Sequence, residues 1–180
     1  AMLARAGYNP KESARLWQQV IKEKEASKDN TFSLLIFDSH PPSEERLAAL
    51  DRIADQILAL GKDFETGQQR YLEHIAPFRF DFLKDELHQR DFNRFEVLIN
   101  SLIEQNYALG EVYYYKGEMH RLRGEEGDTA KAIEAYQKAV AEPACPAEAY
   151  RSLGLLYRAQ GKTDNAKECF TKYLERKPDS

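Results

Sequence analysis

The C-terminal part of the chain repeats itself, and that repeat limits the folds open to it. Ala132, Tyr136 and Ala139 recur 34 residues later as Ala166, Phe170 and Tyr173. Tyr113, Gly117, His120 and Gly124 recur 37 residues later as Tyr150, Gly154, Tyr157 and Gly161. The two spacings differ by three residues, which fall in one turn around Glu125, Glu126, Gly127 and Asp128. A period of this size, with small and aromatic residues at matched places, denotes stacked pairs of helices. Glycine in the first helix lets the second approach closely, and the aromatic residue fills the remaining gap.

The rest of the chain also reads as helix. Asn9-Pro10-Lys11-Glu12 is a helix start, with Leu16, Trp17, Val20 and Ile21 as the apolar stripe that follows. The first six residues resemble the end of a helix stopped by Gly7. Leu34-Leu35-Ile36-Phe37 is too short for a helix and reads as a buried turn or plug. Ser39-His40-Pro41-Pro42 is a loop, and Ser43 is placed to cap the next helix. Leu47, Leu50, Ile53, Ala54, Ile57 and Leu58 form that helix's inward face, and Gly61 ends it. Residues 64–90 form a helical stretch with a break expected at Pro77. Tyr71, Leu72, Ile75, Phe78, Phe82, Leu83 and Leu87 are its apolar side. Residues 92–105 add a helix with Phe95, Leu98, Ile99, Leu102 and Ile103 inward. This last pair reads as a degenerate repeat, because large residues stand where a small one is needed.

Composition narrows the function. With 42% hydrophobic and 31% charged residues the chain is globular, and its net charge of −4 disfavours a nucleic-acid partner. No apolar run is long enough to span a membrane. Cys145 lies in the turn between repeats and Cys169 in the last helix, read as a turn residue and a small packed residue. Asp85 and His88 share a helix face, but a metal site needs three or four ligands and no others are placed with them, so they read as a surface pair. His74 and His120 read as structural. No Gly-rich phosphate loop, Gly-x-Ser-x-Gly or Cys-x-x-Cys is present. Of Tyr113, Tyr114 and Tyr115, three in a row cannot all face inward, so one belongs to a surface that binds something.

Residues 110–178 resemble the tetratricopeptide repeat (TPR) family. Lys116 and His120 depart from its pattern, which prefers leucine and tyrosine there, and Tyr173 stands where alanine is preferred. The resemblance implies a protein-binding surface lined by first-helix side chains: Glu111, Tyr114, Glu118 and Arg121, then Glu148, Arg151, Leu155 and Arg158. Tyr114, Arg121, Arg151 and Arg158 are the peptide-binding candidates, since arginine forks suit a carboxylate or a backbone carbonyl. The alternative reading of these arginines is a solvated helix surface.

Residues 1–60 carry a second resemblance. Ala6-Gly7-Tyr8-Asn9-Pro10, followed by Phe37-Asp38-Ser39-His40-Pro41-Pro42 and Arg46, is similar to the segment downstream of the metal site in zinc metallopeptidases of the HtpX and CAAX prenyl protease family. Some bacterial members are periplasmic, carry C-terminal TPR repeats and act in envelope protein quality control. The resemblance implies that His40 and Arg46 lie near the catalytic cleft of an intact parent. In this chain alone, His40 reads as a loop residue and Arg46 as a helix-start residue. The family's His-Glu-x-x-His is absent, so no catalytic or metal-ligating residue is assigned here, and the zinc is expected in the parent.

The expected architecture is therefore all-α: helical hairpins stacked as a short TPR-like α-solenoid, preceded by a helical remnant of a peptidase domain. The expected divisions are residues 1–61 (the peptidase portion), 62–106 (a helical hairpin) and 107–180 (two TPR repeats). The expected role is non-catalytic. The repeats bind proteins or peptides, or the parent's own catalytic domain, in the periplasm or cell envelope. The alternative is a free-standing TPR scaffold with no protease parent.

Overall fold

The computed structural model describes residues 2–27 and 44–178. The expectations for Leu34 to Phe37, for the loop containing His40 and for Ser43 lie outside these residues. Among the described residues there are ten α-helices and no β-strand, only one isolated parallel bridge between Tyr8 and Glu65. The chain divides into two compact units, Ala1–Arg79 and Phe80–Ser180.

The first unit contains α1 (Met2–Arg5), α2 (Lys11–Ala26), α3 (Glu44–Leu58) and α4 (Gln68–Ile75). Gly7, with φ +85°, ends α1 as expected. The Asn9 side chain then accepts the Lys11 backbone N–H at 3.0 Å, as a residue opening a helix should. Helices α2 and α3 pack together. Lys11 joins them through Asp51 at 2.7 Å and Asp55 at 2.8 Å, and Ala14 and Ala54 are the residues buried on the two helices. Gly61, with φ +70°, follows α3. Arg46 lies over the Trp17 ring, 5.5 Å from its centroid.

The apolar stripes of this unit are only partly covered. Leu16 and Ile53, expected inward, are exposed, and so is Tyr71. A stripe that wide needs more than one neighbouring helix to cover it.

The second unit holds α5 (Arg79–His88, from Phe80 onward), α6 (Phe92–Glu104), α7 (Leu109–Arg123), α8 (Asp128–Ala141), α9 (Ala147–Ala159) and α10 (Thr163–Arg176). The break expected at Pro77 separates α4 from α5. Asp91 starts α6 by accepting the Arg94 backbone N–H at 3.3 Å. The buried Arg94 side chain pairs with Glu86 and with Gln89, the latter at 3.0 Å. Leu83, Leu87, Phe95, Ile99, Val112, Tyr115 and Met119 form one core cluster. Its bulk lies where the later pairs use glycine and alanine, so α5 and α6 are a hairpin without the small-residue crossing. Phe82 points to solvent, while Phe80 packs on the cluster.

The α7–α8 and α9–α10 pairs are built alike. A Cβ on Gly117 would lie 2.4 Å from the Tyr136 ring, and one on Gly154 would lie 2.8 Å from the Phe170 ring. Glycine at both positions is what lets the paired helices close. Gly124 (φ +69°) and Gly161 (φ +73°) make the matching turns. Ala132, Ile133, Tyr136, Leu153, Tyr157, Ala166 and Cys169 form the second cluster, and Tyr114 packs against both clusters.

The pairs are also tied to each other. Gln137 donates to the Tyr157 hydroxyl at 2.7 Å, and the Tyr150 hydroxyl donates to the Val140 carbonyl at 3.3 Å. From the last helix, Arg176 donates to the Cys145 carbonyl at 3.2 Å and stacks on Tyr150 at 4.6 Å. The second unit is thus an all-helical, TPR-like stack.

Candidate functional site

Successive first helices α7 and α9 meet through one buried carboxylate. Glu118 accepts from the Tyr136 hydroxyl at 2.5 Å, from the Ser152 hydroxyl at 2.9 Å, and from Arg121 at 2.5 and 3.2 Å. These contacts bring α7, α8 and α9 to one point. Burial alone would raise the Glu118 pKa. The bonds from Arg121, Tyr136 and Ser152 outweigh it and hold the carboxyl below its usual range. The residue is a hub of the fold rather than a free surface charge.

Around that hub the peptide-binding candidates divide into two kinds. Tyr114 is half-buried, stacked on Phe80 with ring centroids 5.9 Å apart and close to Tyr136 at 6.2 Å. Burial, then Glu118 and Glu148, push its phenol well above the ordinary range, while Arg121 and Arg151 oppose them. Arg121 is exposed on one side, but its guanidinium is already engaged by Glu118. Arg151 and Arg158 are exposed on α9, with no hydrogen bond or ion pair to another described residue. Seven residues apart, they share a helix face with the exposed Leu155 between them. The Glu148 carboxylate pairs with Lys177. The chemistry open on this face is therefore that of two available guanidiniums and an apolar side chain, beside a rigid tyrosine.

The three consecutive tyrosines face three ways. Tyr115 is buried and donates to the Phe80 carbonyl at 2.8 Å. Tyr114 borders the α7–α9 face. Tyr113 turns the other way, under the Lys138 ammonium at 5.7 Å.

A second polar cluster escaped the sequence reading. Asp128, the first residue of α8, is 1% exposed and receives Arg123 at 2.7 and 2.9 Å and the Glu125 backbone N–H at 2.9 Å. His120 Nδ1 lies 3.2 Å from Asp128 Oδ1 and 3.1 Å from Arg123 Nη2. Arg123 holds the Asp128 carboxyl far below its usual range, despite burial. Burial, then Arg123, lower the His120 pKa. This cluster explains why histidine is accepted where the repeat prefers tyrosine, and it ties down the three extra residues of the turn. The only signal in the sequence was the coincidence of that histidine with an insertion eight residues from an aspartate. Gly110 was missed as well: a Cβ there would meet the Cys145 backbone at 2.9 Å.

Arg46, the one described residue of the two linked to a catalytic cleft, lies in the first unit against Trp17, and His40 lies outside the described residues. Asp85 and His88 are both exposed. Among the described residues no three His, Cys, Asp or Glu side chains converge, so these residues do not fit a zinc site. No described helix is long and apolar enough to cross a membrane.

Comparison with known proteins agrees with the geometry at one place. The family profile described as Tetratricopeptide repeat matches residues 147–180, which contain α9 and α10. No curated protein and no solved structure matches the chain significantly. A tetratricopeptide repeat is present at residues 147–180, and it implies protein partners.

Proposed function

We propose that the second unit binds an extended, acidic peptide segment of a partner protein across the α7–α9 face, and has no catalytic role of its own. The observation that carries this reading is the pair Arg151 and Arg158, exposed on the first helix of the matched repeat with no ion pair among the described residues and with Leu155 between them. Two guanidiniums two turns apart on one helix face suit carboxylates or carbonyls of an extended chain. Tyr114 and the Glu118 hub supply a wall that needs no ordering on binding.

The wider setting rests on the resemblance of residues 1–61 to the segment after the metal site of HtpX-type and CAAX prenyl proteases. On that reading the chain is the C-terminal part of a zinc metallopeptidase of the periplasm or cell envelope. Residues 62–106 and 107–180 then recruit substrates to the catalytic domain, or dock on it, in protein quality control. His40 and Arg46 border the cleft in the intact protein, and the zinc belongs to the preceding segment.

Two experiments test the two levels. Fluorescence titration of residues 80–180 with acidic and neutral peptides should show preference for the acidic ones, and Arg151→Ala with Arg158→Ala should weaken binding roughly tenfold. Equal affinity in the double variant defeats the binding surface. The reading frame upstream of Ala1 should encode His-Glu-x-x-His followed by a glutamate on a later helix. Its absence leaves a TPR scaffold without a protease.

A further inference from the structure

The repeat supplies an internal measure of its outermost face. One repeat earlier, α9 lies on α7 and α8. Tyr136 of α8, with Val140 packed beside it, belongs to the cluster that holds Leu153 and Tyr157 of α9. Glu118 of α7 receives the Ser152 hydroxyl, and Glu148 and Arg151 of α9 act on the Tyr114 phenol of α7. Residues at equivalent places on successive first helices are therefore neighbours. The same places recur on the last pair. Tyr114 and Glu118 become Arg151 and Leu155 after 37 residues, and Tyr136 and Val140 become Phe170 and Leu174 after 34.

Their burial does not recur. Tyr136 is 0% exposed and Glu118 8%, whereas Leu155 is 37% exposed, Leu174 is 50% exposed and Phe170 is only half-buried. The outer face of a terminal repeat is polar when it meets only water. This face instead keeps apolar residues at places that hold α9 one repeat earlier, so its chemistry is that of a seat for a helix.

The rim of the seat selects the charge of what sits there. Residues 147–180 hold seven lysines and arginines against five aspartates and glutamates, in a chain of net charge −4. Glu148 is paired with Lys177, and Glu168 with Lys172 at 2.7 Å. Asp164 and Glu175 lie on another side of α10 from Phe170 and Leu174. Arg151, Arg158 and Lys167 are exposed with no ion pair among the described residues. Lys167 stands where the earlier repeat buries Ile133, so a cation replaces an apolar residue on the seat itself.

We infer that the outer face of α9 and α10 seats an amphipathic helix of a partner protein, resting on the same open arginines as the extended-peptide reading but placing the partner against α10. Its apolar stripe covers Leu155, Phe170 and Leu174, as α9 covers Glu118, Tyr136 and Val140. Its carboxylates lie beside Arg151, Arg158 and Lys167, where like charges would be repelled.

The probe is a labelled peptide copying residues 146–160, the helix that fills the equivalent seat, with Arg151→Glu and Arg158→Glu. Fluorescence anisotropy against the full chain should show saturable binding, with a gain of helical circular dichroism in the peptide. The unaltered peptide sets arginine against arginine and should bind roughly tenfold more weakly. In the chain, Leu174→Asp should weaken the acidic probe by roughly tenfold or more, and the uncharged Leu174→Gln should act in the same direction. Leu174 is at the surface, so both variants should keep the parent's melting temperature. An acidic peptide with internal prolines, which cannot become a helix, should bind the Leu174→Asp chain as it binds the parent. The inference is overturned by no saturable binding of the acidic probe, by equal affinity for the two copied peptides, or by unchanged affinity in both Leu174 variants. It is also overturned by a dimer in sedimentation that Leu174→Asp disperses, since the seat would then belong to a second copy. Failure of the proline peptide alone removes the extended-peptide reading and leaves the helix seat standing.

Discussion

At the scale of single residues, the two helix-crossing glycines are not equivalent. A Cβ at Gly117 would lie 2.4 and 2.5 Å from the Tyr136 ring, which is fully buried and anchored through its hydroxyl to Glu118. A Cβ at Gly154 would lie 2.8 and 3.0 Å from Phe170, which is only half-buried and has no hydroxyl to anchor it, and 3.1 Å from the Cys169 Cβ. Alanine in a helix gains about 1 kcal/mol over glycine, while overpacking costs roughly 1–3 kcal/mol. Gly117→Ala should therefore destabilise the second unit, and Gly154→Ala should cost less. Each kcal/mol lowers the melting temperature by roughly 4–8 °C in a unit of this size, so calorimetry resolves the order. Equal costs at the two positions would show that Tyr136 is as free to move as Phe170. Both glycines were legible from the repeat. Glu118 was not, because a glutamate on a helix reads as solvated surface until its partners from two other helices are known.

At the scale of the elements, the α7–α8 turn governs how the second unit responds to acid. Glu118 and Asp128 have folded-state pKa values below those of free carboxylates. Their contribution to stability is present above the unfolded values and lost as pH falls through the folded ones. His120 is depressed by burial and by Arg123. The unfolded chain thus takes up the imidazole proton first, and stability begins to fall below about pH 6.5, the value of a free histidine. All three act in the same direction. The urea midpoint of residues 80–180 should decline in two stages, below about pH 6.5 and again below about pH 4. His120→Gln should remove the first stage, and a midpoint that stays level down to pH 5 would contradict the placement of His120. The helices themselves and their approximate limits were readable from periodicity and stop signals, since these depend on neighbours in the sequence. The stripes on α2 and α3 misled at Leu16 and Ile53, because a pattern shows which side is apolar and not how much of it another helix covers.

At the scale of the whole molecule, the two units differ in how they are held together. The second has two adjoining core clusters, with Tyr114 packed against both. The first relies on alanines and on ion pairs of half-exposed Lys11, with large apolar residues such as Leu16, Leu60 and Tyr71 at its surface. Exposed ion pairs contribute little, about 0–1 kcal/mol each. Residues 80–180 produced alone should therefore keep their helical circular dichroism and melt cooperatively near the temperature of the same unit in the full chain. Loss of helicity in that fragment would mean that its core is not self-sufficient.

The sequence by itself determined the helical class, the register of the C-terminal repeat and the glycines that allow its helices to close. Each follows from spacing along the chain, and a period of 34 with small residues at the crossings admits few other packings. Only the tertiary structure decided what the polar residues do. It turned Glu118 into a buried junction, joined His120 to Arg123 and Asp128 around the insertion, and left Arg151 and Arg158 exposed with no hydrogen bond or ion pair to another described residue. Whether a charge is spent inside the molecule or remains available depends on groups distant in sequence, and no local pattern records their approach.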